Sequence, residues 1–156
     1  MPIKIFASEM QAWKDLLYAC AAASDAIDRR LRQAGLLPLH WYRVLVELAA
    51  EPQGSLRMWE LADRVALTRS GITRLADRIT DAGLLVRQQS RQDRRAIFAV
   101  ITPEGRTAVD RTLPTYAESI RKHFLSHLSR EEVDVLATSL AKVRQAVRKP
   151  EGGAPR

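Results

Sequence analysis

Cysteine occurs once in the 156 residues, at Cys20. That scarcity excludes an intrachain disulfide framework and points to a reducing compartment, the cytoplasm. The chain also lacks an opening apolar run followed by a cleavage site, and no apolar stretch approaches the ~20 residues that a bilayer-spanning helix needs. These absences predict a soluble cytoplasmic protein with no membrane partner. No phosphate-cradling glycine loop, nucleophile triad or paired-carboxylate cleft stands out, so no catalytic residue and no cofactor is assigned. Lysine is missing from the whole stretch between Arg57 and Arg95, yet nine arginines and five acids fall there and supply +4 of the formal charge of +7. Arginine's planar fork suits phosphate and base edges together. A basic segment built from arginine alone therefore favours nucleic acid as the partner over a diffusely charged surface.

What is present divides into three zones, within a length that fits one domain or one compact lobe with long appendages. Residues 5–34 read as one helix, with Met10, Trp13, Leu17, Cys20, Ile27 and Leu31 three or four apart and Ser24 filling a gap in the same series. Such a helix projects ~45 Å, too far for a small domain to cover, so it calls for a partner. Gly35 ends it, and Pro38 restarts the chain before a second helix over 39–50.

The middle zone begins with the turn 51-EPQGS-55. A short helix over 58–65 buries Met58, Leu61 and Val65. A second, over 69–82, buries Ile72, Leu75, Ala76 and Ile79. The few residues of 65-VALT-68 between them suit two helices meeting at a steep angle. After Gly83, a C-terminal cap, the runs 84-LLVRQQ-89 and 96-AIFAVI-101 bracket a polar turn and read as a hairpin. Helix, tight turn, helix, hairpin is the winged helix-turn-helix layout, and 37–101 is its extent.

The last zone, 103–148, opens with Thr102 as cap and Pro103 in the first helical position. One helix is expected to run to about 128, with Val109, Leu113, Tyr116, Ile120, Phe124 and Leu128 along one face and a kink at Pro114. Ser129 and Glu132 form a capping box for a final helix. The terminal helices, 5–34 and 103–148, are amphipathic and flank a small module, which predicts a dimerisation domain built with a second copy. The tail 149–156 has no apolar anchor and is expected to be disordered. The fold class is mainly α with a small β component.

On the helix over 69–82 the inward residues leave Arg69, Ser70, Thr73, Arg74, Asp77 and Arg78 wholly or partly outside. The first four lie in the N-terminal half, the part of a recognition helix that contacts base edges; arginine pairs with guanine, and the hydroxyls suit bases or phosphate. Arg78 lies farther along and reads as a phosphate contact or a partner of Asp77 or Asp81. At the hairpin tip Arg91, Arg94 and Arg95 can enter a narrow, electronegative minor groove. Asp93 among them reads as an intramolecular partner that orders the turn or an arginine.

The segment from about Leu37 to Gly105 carries 68-TRSGITRLADRI-79, 81-DAGLLVR-87, 93-DRR-95 and 101-ITPEG-105, and it resembles the MarR family of bacterial transcriptional regulators. The resemblance implies a homodimer on a pseudo-palindromic operator, usually repressing a nearby gene and often released by a small phenolic or aromatic ligand. It makes Arg94 the minor-groove arginine, with Asp93 supporting the wing, and places Ser70, Thr73 and Arg74 in the major groove. An aromatic acid would suit a pocket gathering Trp13, His40, Trp41, Arg43 and Trp59 at the junction of dimerisation helices and lobe. Trp13 and 56-LRMWELA-62 are similar to the urate-responsive branch, which however has an aspartate where this chain has Arg43. Two other readings compete: a thiol-based redox regulator acting through Cys20, and a non-specific architectural protein, on DNA or RNA. His123 and His127, four apart, are too few for a metal site.

Overall fold

The computed structural model describes residues 5–90, 93 and 96–147. Helix α1 (Ala7–Gln33) is followed by α2 (Leu39–Ala50), strand β1 (Ser55–Arg57), α3 (Met58–Arg64), α4 (Arg69–Asp81), the hairpin β2 (Leu85–Gln89) and β3 (Ile97–Ile101), α5 (Pro103–His123) and α6 (Arg130–Val147). The three strands form an antiparallel sheet in the order β1-β3-β2, with Leu56 opposite Ala99 and Leu85 opposite Ile101. The turn expected at 51–55 is present over 51–54, and strand β1, which begins at Ser55, is an element the sequence reading did not contain. Its three residues are too few to show alternation, and pairing with β3 rather than local propensity makes them a strand.

One core joins these elements. It takes Tyr42, Val44, Leu45 and Leu48 from α2, Leu61 and Val65 from α3, Ile72, Leu75, Ala76 and Ile79 from α4, and Leu56, Leu85, Ala99 and Ile101 from the sheet. Burying a Leu or Ile side chain contributes about 1.5–3 kcal/mol, so this cluster holds the lobe together. The inward set expected for α4 is the observed one.

Helices α1, α3 and α4 all stop in the same way. After α1 and α4, a glycine takes the left-handed conformation (Gly35 at φ 65°, Gly83 at φ 74°). The glycine's own amide and the one after it bond back to the last turn, as in Gly83 N to Thr80 O and Leu84 N to Ile79 O. Between α3 and α4 the identical pair of bonds forms (Ala66 N to Asp63 O, Leu67 N to Ala62 O), but the left-handed residue is Ala66 at φ 55°. A Cβ there costs about 1–2 kcal/mol, partly offset by glycine's larger unfolded-state entropy. Ala66→Gly is therefore expected to stabilise the protein by about 0.5–1 kcal/mol, read as a higher urea midpoint; a lower midpoint would refute the strain.

Helix α5 runs on through Pro114 and ends at His123, short of the expected 128. Phe124 leaves the helical region at φ −137°, and Leu125–His127 form a 3-10 turn before the extended Leu128. His123 and His127 thus do not share a helix, and among the described residues no cluster of three metal-binding side chains exists. The buried face of α5 is Gly105, Val109, Thr112 and Ser119, whereas Leu113 is 50% exposed. Thr112 and Ser119 satisfy their hydroxyls on the carbonyls of Ala108 and Thr115, so they pack like apolar residues. Ser129 and Glu132 cap α6 reciprocally, Ser129 N donating to Glu132 and Glu132 N to Ser129. No described helix is long and apolar enough to cross a membrane.

The N-terminal half of α1 and all of α6 lie outside the core. Trp13 is 56% and Leu17 51% exposed, Val143 is similarly exposed, Tyr18, Val135 and Val147 are more so, and no residue of α6 is buried. Cys20, expected on the apolar seam, is also exposed in the single chain.

Candidate nucleic-acid interface

The exposed face of α4 follows from its buried one. With Ile72, Leu75, Ala76 and Ile79 in the core, Arg69, Ser70, Thr73, Arg74 and Arg78 remain exposed. Thr68 caps the helix by accepting from Gly71 N at 3.0 Å and lies 3.3 Å from the Ser70 hydroxyl. Thr73 donates its hydroxyl to Arg69 O at 2.8 Å. Its lone pairs and methyl therefore remain for an outside partner. Among the described residues no ion pair engages Arg69, Arg74 or Arg78.

Other arginines of the segment are spent within the chain. Arg64 pairs with Glu51 at 2.6 Å and with Glu47 at 3.6 Å, and these carboxylates hold its guanidinium pKa above the ordinary value. Arg57 stacks over the Phe98 ring at 5.6 Å. Arg87 of β2 pairs with Asp77 of α4, so Asp77 finds its partner across the wing and not in Arg78. Sequence reasoning missed Arg87, because ladder register and not proximity in sequence brings it to α4. Counting arginines thus overstated the free cationic face.

Ser90 N donates to Ala96 O, and Asp93 closes the turn, its amide donating to the Ser90 hydroxyl at 3.2 Å and its carbonyl accepting from Ala96 N at 2.9 Å. Arg91, Arg94 and Arg95 lie outside the described residues. Between hairpin and α4 lies an open cavity of about 330 Å³, lined by Arg57, Trp59, Arg69, Thr73, Asp93 and Ile97 among others.

The five expected ligand residues are not gathered into one pocket by a single chain. Trp59 lines the cavity just described, whereas Trp41 lines a second, of about 270 Å³, with Leu37, Pro38, Ala108, Arg111 and Thr112. His40 meets Trp41 edge to face at 6.4 Å. Arg43 donates to Val65 O at 3.2 Å, tying α2 to the end of α3. Trp13 stands apart on the exposed part of α1. The cation of the second cavity is Arg111, which the sequence reading had not singled out.

Beside that cavity, Asp28 of α1 accepts from Leu39 N at 2.7 Å and from Arg32 at 2.6 Å, capping α2 from another helix. Partial burial works against its charge, but the two bonds and the nearby cations prevail and hold its carboxyl below the ordinary value. His40 is pushed the same way, first by burial, then by Arg78 and Arg32 against the pull of Asp28. A cationic His40 is disfavoured here.

Comparison with known proteins gives a consistent picture. The model of the MarR family matches residues 29–96. The transcriptional regulator MhqR of Bacillus subtilis is 29% identical over 80% of this chain and 83% of its own. The repressor MdtR of the same organism is 31% identical over 78% and 76%. Among solved structures, Sco3205 from Streptomyces coelicolor, a MarR-family regulator in complex with DNA, superposes with a TM-score of 0.87 at 30% identity, covering 99% of this chain and 97% of that one. AbsC from the same organism gives 0.84 at 26% identity, covering 94% and 99%.

Proposed function

The chain belongs to the MarR family of winged helix-turn-helix transcriptional regulators, and from that membership we propose that it is a homodimeric repressor whose two α4 helices read a pseudo-palindromic operator. The observation that carries this reading is the face of α4 itself, where Arg69, Ser70, Thr73 and Arg74 stand exposed around the N-terminal half of a helix anchored on its other side. A helix ~10–12 Å across fits a major groove of ~12 Å. Short hydroxyl side chains permit close approach, the arginines reach guanine or phosphate, and Arg78 sits where a backbone contact would fall. The wing beside α4 would address the minor groove through Arg94, with Arg91 and Arg95 as further candidate contacts and Asp93 closing the turn. The exposed apolar residues of α1 and α6 support dimerisation, since they have no cover within one chain.

The test is binding to the chain's own upstream DNA against a random duplex across a salt series. Sequence-specific regulation requires the upstream fragment to bind at least ~1,000-fold more tightly; equal binding would favour an architectural role. Thr73→Ala is expected to cut that ratio by about 5- to 50-fold, as loss of one base contact should, with random-duplex affinity unchanged. Equal losses on both duplexes would remove Thr73 from base readout.

Release by a small aromatic acid is supported by the cavity at Trp41 and Arg111, where a ring and a cation face the space between the α1–α2 connection and α5. An effector seated there must favour one arrangement of α5 and lobe over another in order to act. Titration of aromatic acids into the upstream complex tests this, with Arg111→Ala expected to abolish any release.

A further inference from the structure

Reading two grooves at once requires a fixed angle between α4 and the wing, and the core does not supply all of it. In β2 only Leu85 is buried, while Val86 to Gln89 stand outside. Arg87 lies two residues beyond Leu85, opposite Ala99 in the ladder, and so on the same side of the sheet as the core. From there it pairs with the carboxylate of Asp77, one turn after Thr73 on α4. The pair is partly covered, with side chains 29% and 49% exposed.

We propose that the Asp77–Arg87 pair is a strap that sets the wing against the recognition helix, making both of them positioning residues for DNA recognition. The inference rests on the DNA-binding reading above. Charge alone argues against Asp77 being merely solvated. A carboxylate on the helix that faces a polyanion opposes binding, so its removal would tighten every duplex. As a strap it contributes in the opposite direction, by holding the hairpin where its tip meets the groove. The two roles therefore differ in sign.

Asp77→Asn separates them. Affinity for the upstream duplex is expected to fall about fivefold, the ceiling for a pair this exposed, with random-duplex affinity unchanged or slightly higher. Amide exchange from Val86 to Gln89 in the DNA-free protein should quicken. The charge swap Asp77→Arg with Arg87→Asp should restore upstream affinity to within about twofold, which a general loss of structure would not allow. Upstream affinity that stays level or rises in Asp77→Asn overturns the proposal, whatever the exchange shows. So does a swap that fails to recover in a protein with wild-type circular dichroism. If the wild-type protein does not prefer its upstream duplex, the DNA-recognition reading falls; unchanged exchange in Asp77→Asn would then dismiss the strap separately.

Discussion

Gly105→Ala is expected to destabilise the protein by about 3 kcal/mol, although alanine is the better helix former by about 1 kcal/mol. Gly105 sits in the first turn of α5 with no room around it. A Cβ would stand 2.2 Å from the Leu84 carbonyl oxygen and 2.8 Å from Ile101. The Leu84 oxygen cannot retreat, because it accepts from Thr102 N at 3.2 Å. Thr102 is itself fixed, donating to Gly83 O at 2.8 Å while capping Gly105 N at 3.0 Å. The added methyl must therefore part α5 from the end of α4 and the start of β2. Urea unfolding of the variant gives the answer; a midpoint equal to or above wild type would mean that the contact yields.

The second large effect concerns assembly. Trp13→Glu with Leu17→Glu puts two charges on the part of α1 that one chain leaves uncovered. The lobe's core does not include either residue, so its fold should stand. Sedimentation is expected to show a 17.6 kDa monomer. Upstream-duplex affinity should fall by about 100-fold or more, because a second half-site is then no longer engaged at high effective concentration. A variant that keeps the mass of a dimer would place the interface elsewhere.

How far sequence sufficed differs from element to element. Helix α4 was legible because a 3.6-residue apolar period and the glycine stop agree, while its cap, the Thr68 hydroxyl accepting from Gly71 N, emerged only in the structure. The hairpin was legible from its two strand-like runs around a polar turn, but β1 was not, since three residues become a strand only by pairing with β3. Along α5 the apolar period pointed to Leu113, whereas packing chose Thr112 and Ser119, whose hydroxyls the helix satisfies internally. For the interface, the outward residues of α4 followed directly from the inward ones. Which arginines were already engaged did not, because Arg64 finds Glu51 and Arg87 finds Asp77 only through tertiary placement. The tryptophans show the same limit: Trp41 and Trp59 line separate cavities.

Helix α5 touches both halves of the molecule. At its start Gly105 leaves no slack against Leu84, and farther along Thr112 receives the Leu37 amide at 3.4 Å while the helix lies along α1. Mechanically this is a beam clamped at the wing and loaded near the dimer contacts. Over 21 residues it is about 31 Å long, so a tilt of only about 5° displaces one end by about 3 Å relative to the other. A tilt imposed at the loaded end thus reaches the wing as strain, because the Gly105 contact leaves no play there to absorb it.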